Sequence, residues 1–183
     1  MSLAKLETPS RLRELKPVST LTRIGFDPGM VMLDVGAGTG VFAIPAAELP
    51  AKMVHALDVD DAALDVVCRK AREAHLPNVD AIKIDAGPYD VEDGTVDLAL
   101  VSCVLHEIDS DARVHAFQEI KRTLADGGRL AVIEFCAGVE GFGPVQDIRI
   151  SQSDLEAFGR EQGYQVLESF NLSENLYCVI FGK

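Results

Sequence analysis

Short apolar runs alternate along the chain with longer stretches whose apolar residues recur at helical spacing. Residues 30–36, MVMLDVG, form an apolar run that ends in glycines, the mark of a buried strand. A helix is predicted through VFAIPAAEL, with Pro45 near its first turn, where a missing N–H is least harmful. Residues 52–58, KMVHALD, read as a second strand. From Asp61 to His75 the spacing of Ala62, Leu64, Val67 and Ala71 predicts an amphipathic helix, opened by acidic residues and followed by Pro77. Residues 79–85 and 96–103 read as third and fourth strands. Asp109 to Leu124 places Val114, Phe117, Ile120 and Leu124 on one helical face, and Asp126-Gly127-Gly128 stops it. RLAVIEF, residues 129–135, is a fifth strand. Residues 153–162 predict a helix capped by Ser153 and ended by Gly163. The last twenty or so residues read as two strands that turn near Ser173-Glu174-Asn175, an antiparallel hairpin.

Strands alternating with helices predict an α/β fold, a doubly wound and mostly parallel sheet with helices on both faces. Residues 1–26 precede the first strand and read as one or two short helices packed on the sheet. The 183 residues suit one domain, 1–183, large enough to bury a core without metal or disulfides.

Charge narrows the partners. The net charge of −12 argues against a surface that grips nucleic acid by its phosphates, and against an anionic membrane. It favours a cationic cofactor or substrate. Cys68, Cys103, Cys136 and Cys178 are widely spaced, with no zinc pattern, so free thiols and a cytoplasmic setting are expected and no metal site is. No apolar stretch has the length of a signal peptide or a membrane span.

The chemistry concentrates after the first strand, in Asp34-Val35-Gly36-Ala37-Gly38-Thr39-Gly40. In open parallel sheets ligands bind beyond the carboxyl ends of the strands. Glycines there let the chain turn sharply and let a ligand approach the backbone. A dinucleotide fingerprint wants a small residue five positions after the first glycine; Val41 stands there. Asp34 puts a carboxylate into an apolar strand end, which suits a sulfonium–amino-acid ligand better than a pyrophosphate. Asp58 ends the second strand about 20 residues on, where a ribose-binding carboxylate belongs.

LDVGAGTG followed by ALDVD and KIDA resembles the class I S-adenosylmethionine-dependent methyltransferases, over roughly residues 28–183. RLRELKPVSTLTRIGFDPGMVMLDVGAGTGVFAIPAA is similar to small stand-alone members of the ubiquinone/menaquinone-biosynthesis type. The resemblance implies a Rossmann-like core at 27–183, in seven strands ordered 3-2-1-4-5-7-6 with the last antiparallel. It implies that Gly36, Ala37, Gly38 and Gly40 line the methionine and sugar of S-adenosylmethionine, and that Asp34 holds the amino group. Asp58 takes the ribose hydroxyls with Val59 beside the adenine. Asp85 meets the adenine amino group with Ala86 next to it, and Cys103 lies under the cofactor.

The loop after the fourth strand, VSCVLHEID, faces the reacting methyl in that resemblance, so His106 is a candidate catalytic base or a residue that shapes the pocket. Glu134 faces the substrate or a neighbouring side chain. Arg11 and Arg13 fold over the site or lie on a solvated helix face. The segments left to build an acceptor pocket are 1–26, the loop after the fourth strand and the glycine-rich 137–150. The acceptor is expected to be a small molecule, with a protein side chain next. Nucleic acid is disfavoured by charge and by the lack of an Asn/Asp-Pro-Pro-aromatic signature. The rival readings are an NAD-dependent oxidoreductase and a non-catalytic S-adenosylmethionine-binding module.

Overall fold

The computed structural model describes residues 3–85 and 87–183. After a 3-10 turn at Leu3–Lys5 come two seven-residue helices, α1 (Pro9–Leu15) and α2 (Pro17–Arg23), each with proline in its first turn. There follow β1 (Val31–Val35), α3 (Ala43–Glu48), β2 (Met53–Asp58), α4 (Asp61–Glu73), β3 (Val79–Lys83) and β4 (Val96–Ser102). The chain ends with α5 (Ser110–Thr123), β5 (Leu124–Phe135), α6 (Gln152–Glu161), β6 (Gln165–Asn171) and β7 (Leu176–Gly182).

The seven strands lie in the order β3-β2-β1-β4-β5-β7-β6, as the resemblance implied. β3 to β5 pair in parallel, and β7 runs antiparallel to both β5 and β6. Side-chain alternation sends successive residues to opposite faces. Met32, Leu98, Ala131 and Ile133 pack on one face with Leu15, Leu21 and Ala46. Leu33, Val35, Ala99 and Val132 pack on the other with Phe117, Ile120 and Leu155. With both faces covered, all five residues of the central β1 are buried.

Beyond shifts of a residue or two at element ends, two boundaries differ from the sequence pattern. Helix α5 stops at Thr123, because Leu124 turns extended (φ −62°, ψ 130°) and pairs with Val96 on β4. β5 therefore starts ahead of the Gly127-Gly128 pair, which sits in a register shift between Val96 and Leu98 rather than at the helix end. The cap of α6 is Ser151, whose hydroxyl accepts from the Asp154 amide at 3.1 Å; Ser153 lies inside the first turn. Among the described residues no helix is long and apolar enough to cross a membrane, and no cluster of three or more His, Cys, Asp or Glu is placed to hold a metal ion.

Candidate functional site

The loop that leaves β1 lies at the carboxyl edge of the sheet, where β1 has β2 on one side and β4 on the other. The Gly36 and Ala37 amides donate to Leu57 O at 2.8 and 2.9 Å, which ties the loop to the end of β2. Gly36 has φ +73°, and a Cβ there would come within 2.4 Å of Val104 Cγ2. Gly38 has φ +53°, with Leu6 Cδ1 2.9 Å from where its Cβ would be. At Gly36 both the backbone and the space require glycine; at Gly38 the left-handed backbone favours it, and the near atom is the end of the flexible Leu6 side chain. Gly40 plays a different part: it does not line the cavity, and its missing side chain lets Ile44 of α3 and Val67 of α4 pack on the loop.

Beyond this loop opens a cavity of about 890 Å³, within the range that holds small ligands and cofactors. Asp34, Gly36, Ala37, Gly38, Asp58, Val59, Asp85 and Cys103 all line it. Ala86 lies outside the described residues. Leu3, Leu6, Arg11 and Leu15 of the N-terminal segment roof it, and Ile84, Tyr89, Ile108 and His115 form further wall.

The carboxylates differ in what they already hold. Asp58 Oδ2 accepts from the Gly38 amide at 2.7 Å and Oδ1 from the Asp60 amide at 2.9 Å, so it braces the loop. Each oxygen keeps capacity for a further donor. Asp85 Oδ1 accepts from the Gly87 amide at 2.6 Å. Asp34 is 2% exposed, and its Oδ2 has no hydrogen-bond partner among the described residues. Burial raises its pKa to about 7, opposed by a hydrogen bond from the Ala43 amide and assisted by the nearby Asp58 charge. Thr39 Oγ1 is likewise buried and unpartnered. Cys103 sits at φ +56° with its thiol pushed up to about 12 by burial, first of all, so it is a neutral packing group.

His106 is placed beneath the cavity rather than in its wall. Its ring is 4% exposed, its Nδ1 lies 2.8 Å from Glu134 Oε2, and its edge meets the Phe135 ring at 5.3 Å. Nδ1 donates to the carboxylate, which leaves Nε2 as the proton-accepting nitrogen, 3.8 Å from Glu107 Oε1. Glu107 does line the cavity. Residues 137–150 do not, because Arg149 pins that loop down by bonding to Cys136 O at 2.7 Å, Pro144 O at 3.0 Å and Phe142 O.

Several cavity residues carry no signal in the sequence. Leu3 and Leu6 lie in a segment with no strong periodicity, and His115 reads there as one helix-face residue among others. Arg11 and Arg13 look alike in sequence, yet Arg11 enters the cavity wall while Arg13 is exposed.

A doubly wound sheet with a glycine loop after its first strand and carboxylates at the ends of β1 and β2 defines a nucleoside-cofactor type of α/β domain. Residues 32–128 match the family described as Methyltransferase domain, and the chain belongs to that family. It is 32% identical over 125 residues to a demethylmenaquinone methyltransferase of Renibacterium salmoninarum, covering 68% of this chain and 48% of that protein. The chain spans about half or less of the length of the curated relatives it matches. The crystal structure of a SAM dependent methyltransferase from Aquifex aeolicus shares the fold with a TM-score of 0.91 at 24% identity, covering 98% of this chain and 96% of that one. The [4+2]-cyclase SpnF shares it with a TM-score of 0.79 at 22% identity, covering 93% and 81%. The fold therefore carries more than one kind of chemistry, and the activity resides in the site.

Proposed function

We propose that this protein is an S-adenosylmethionine-dependent methyltransferase acting on a small-molecule acceptor. One observation carries the reading: the cavity under the glycine loop holds a buried carboxylate, Asp34, with an oxygen that lacks a partner. Such a group is stabilised by a ligand bearing a cation with N–H donors, which a primary ammonium is and a pyrophosphate is not.

The remaining wall fits the same ligand. Asp58 has acceptor capacity left for the two ribose hydroxyls. Val59, 68% exposed, and Ile84 offer apolar surface for a base, and Asp85 an acceptor for its amino group. Gly36 and Gly38 leave the backbone bare where the methionine portion would pass. Cys103 closes the floor as an uncharged surface.

When bound, S-adenosylmethionine supplies an electrophilic methyl on a good leaving group. The protein then has to hold an acceptor in line with it and keep water out, and positioning alone can supply roughly 7–11 kcal/mol in favourable cases. Leu3, Leu6 and Leu15 roof the cavity for that purpose. For an acceptor that must lose a proton, His106 is the proposed base, reached through Glu107, which lines the cavity 3.8 Å from its Nε2, while Glu134 fixes the tautomer at Nδ1. The acidic protein with its free thiols is read as cytoplasmic.

The test is methyl transfer from labelled S-adenosylmethionine to a panel of small phenols, quinols, amines and carboxylic acids, with an unrelated protein as a control acceptor. Label in a small molecule, with stoichiometric S-adenosylhomocysteine, supports the reading. Cofactor binding with no transfer to any acceptor class favours a non-catalytic binding module.

A further inference from the structure

We propose that Arg11, on α1, binds the carboxylate of the cofactor's amino-acid end, which makes the N-terminal segment part of the cofactor site. The inference rests on the reading of the cavity as an S-adenosylmethionine site.

The cavity wall is acidic, with Asp34, Asp58, Asp60, Asp85, Glu107 and Asp109 among its lining residues. Arg11 is the one arginine or lysine among the described residues that line it. Its Nε is withdrawn from water and has no hydrogen-bond partner among the described residues. Its guanidinium carbon stands 6.0 Å from the centroid of the Phe135 ring, and the side chain bears on the Cys103 thiol. The ring and the roof position the cation without neutralising it. An arginine nitrogen left in that state calls for an acceptor, and a planar carboxylate matches its fork.

The unpartnered charged groups that line the cavity thus come in opposite signs, beside the neutral Thr39 hydroxyl. Asp34 Oδ2 awaits a cation, and Arg11 Nε awaits an anion. The two line the same cavity, and Cys103, beside Arg11, directly follows β4, the strand that pairs with Asp34's strand. A ligand carrying an ammonium and a carboxylate on one carbon satisfies both at once. The methionine end of the cofactor is such a group. An anionic acceptor would satisfy Arg11 but leave Asp34 without a partner.

Calorimetric titration of the full chain with two ligands tests this. S-adenosylhomocysteine carries the amino acid; 5′-methylthioadenosine has the same nucleoside and a thioether but no amino acid. In Arg11→Met, which keeps the aliphatic stem, S-adenosylhomocysteine should bind about tenfold or more weakly, while 5′-methylthioadenosine should be unchanged within about twofold. Arg11→Lys should recover part of the loss. Equal weakening of both ligands would overturn the proposal in favour of a structural role. Unchanged S-adenosylhomocysteine affinity with a raised acceptor KM would overturn it in favour of acceptor recognition. Failure of the unsubstituted protein to bind either ligand would instead sink the cofactor reading itself, and the proposal with it.

Discussion

His106 Nδ1 and Glu134 Oε2 stand 2.8 Å apart, with side chains only 4% and 1% exposed. Glu134 comes from the end of β5 and His106 from the loop after β4, so the pair fastens that loop to the sheet. The carboxylate also accepts from the Phe135 amide at 3.3 Å and the His106 amide at 3.4 Å. Buried charges persist where several donors meet them, and removing one partner strands the other. Glu134→Ala should therefore lower unfolding free energy by about 3 kcal/mol or more, measured in urea. Glu134→Gln keeps an acceptor and should lose less. Equal stability of Glu134→Ala and the unsubstituted protein would remove the pair's structural role.

The same pair frames the test of His106 as a base. His106→Asn keeps an N–H donor toward Glu134 but has no proton-accepting ring nitrogen. Turnover on an acceptor that must lose a proton should fall by about 100-fold or more, with cofactor Kd unchanged within about twofold. If cofactor affinity falls in step with turnover, His106 shapes the pocket and does not take the proton.

Asp34 ties stability to pH and to ligand binding. Its pKa is about 7 in the folded protein against an ordinary 3.8, so the folded state holds the proton more tightly than the unfolded one. The stability from that protonation is present in full below about pH 4 and is lost as pH rises to 7, on the order of a few kcal/mol. Asp34→Asn does not ionise. Its melting temperature should exceed that of the unsubstituted protein by several degrees at pH 8, and the difference should shrink toward pH 4. Cofactor affinity should move the other way: in the unsubstituted protein it should strengthen from pH 5.5 to 8 as Asp34 ionises to meet the ammonium. In Asp34→Asn it should be weak and flat. A melting difference that does not change with pH would remove Asp34 from this account.

Gly36→Ala would bring a Cβ within 2.4 Å of Val104 Cγ2 at a φ of +73°. Backbone strain and crowding together should destabilise the protein by about 1–3 kcal/mol. Cofactor affinity should fall further than stability explains, since Gly36 and Val104 both line the cavity. Gly94→Ala is the control, with φ +68° but no atom within 4 Å of the new Cβ. It should lose stability and leave cofactor affinity intact; matching affinity losses in the two variants would contradict the loop's role.

The elements that could be read from sequence were those set by local pattern. β1 and its glycine loop combine an apolar run with left-handed backbone positions that favour glycine, and both are visible in LDVGAGTG. The α5–β5 junction was not, because Leu124 leaves the helix to pair with Val96, a partner 28 positions away. Gly40 shows the same limit within the motif, since its neighbours Ile44 and Val67 come from two different helices. Arg11 and Arg13 sit two residues apart on a short helix, and only the packing of α1 decides which one meets the cavity. His106 reads as a loop histidine near the site, whereas its contact with Glu134 joins the ends of two strands and carries it below the wall.

The central claim is that the cavity under Gly36 and Gly38 is built for S-adenosylmethionine. Calorimetric titration of the full chain at pH 8 with S-adenosylmethionine, S-adenosylhomocysteine and NAD addresses it most directly. Saturable binding of the first two is expected, lost together in Asp58→Ala, with no heat from NAD. Tight binding of NAD with no response to S-adenosylmethionine would contradict it.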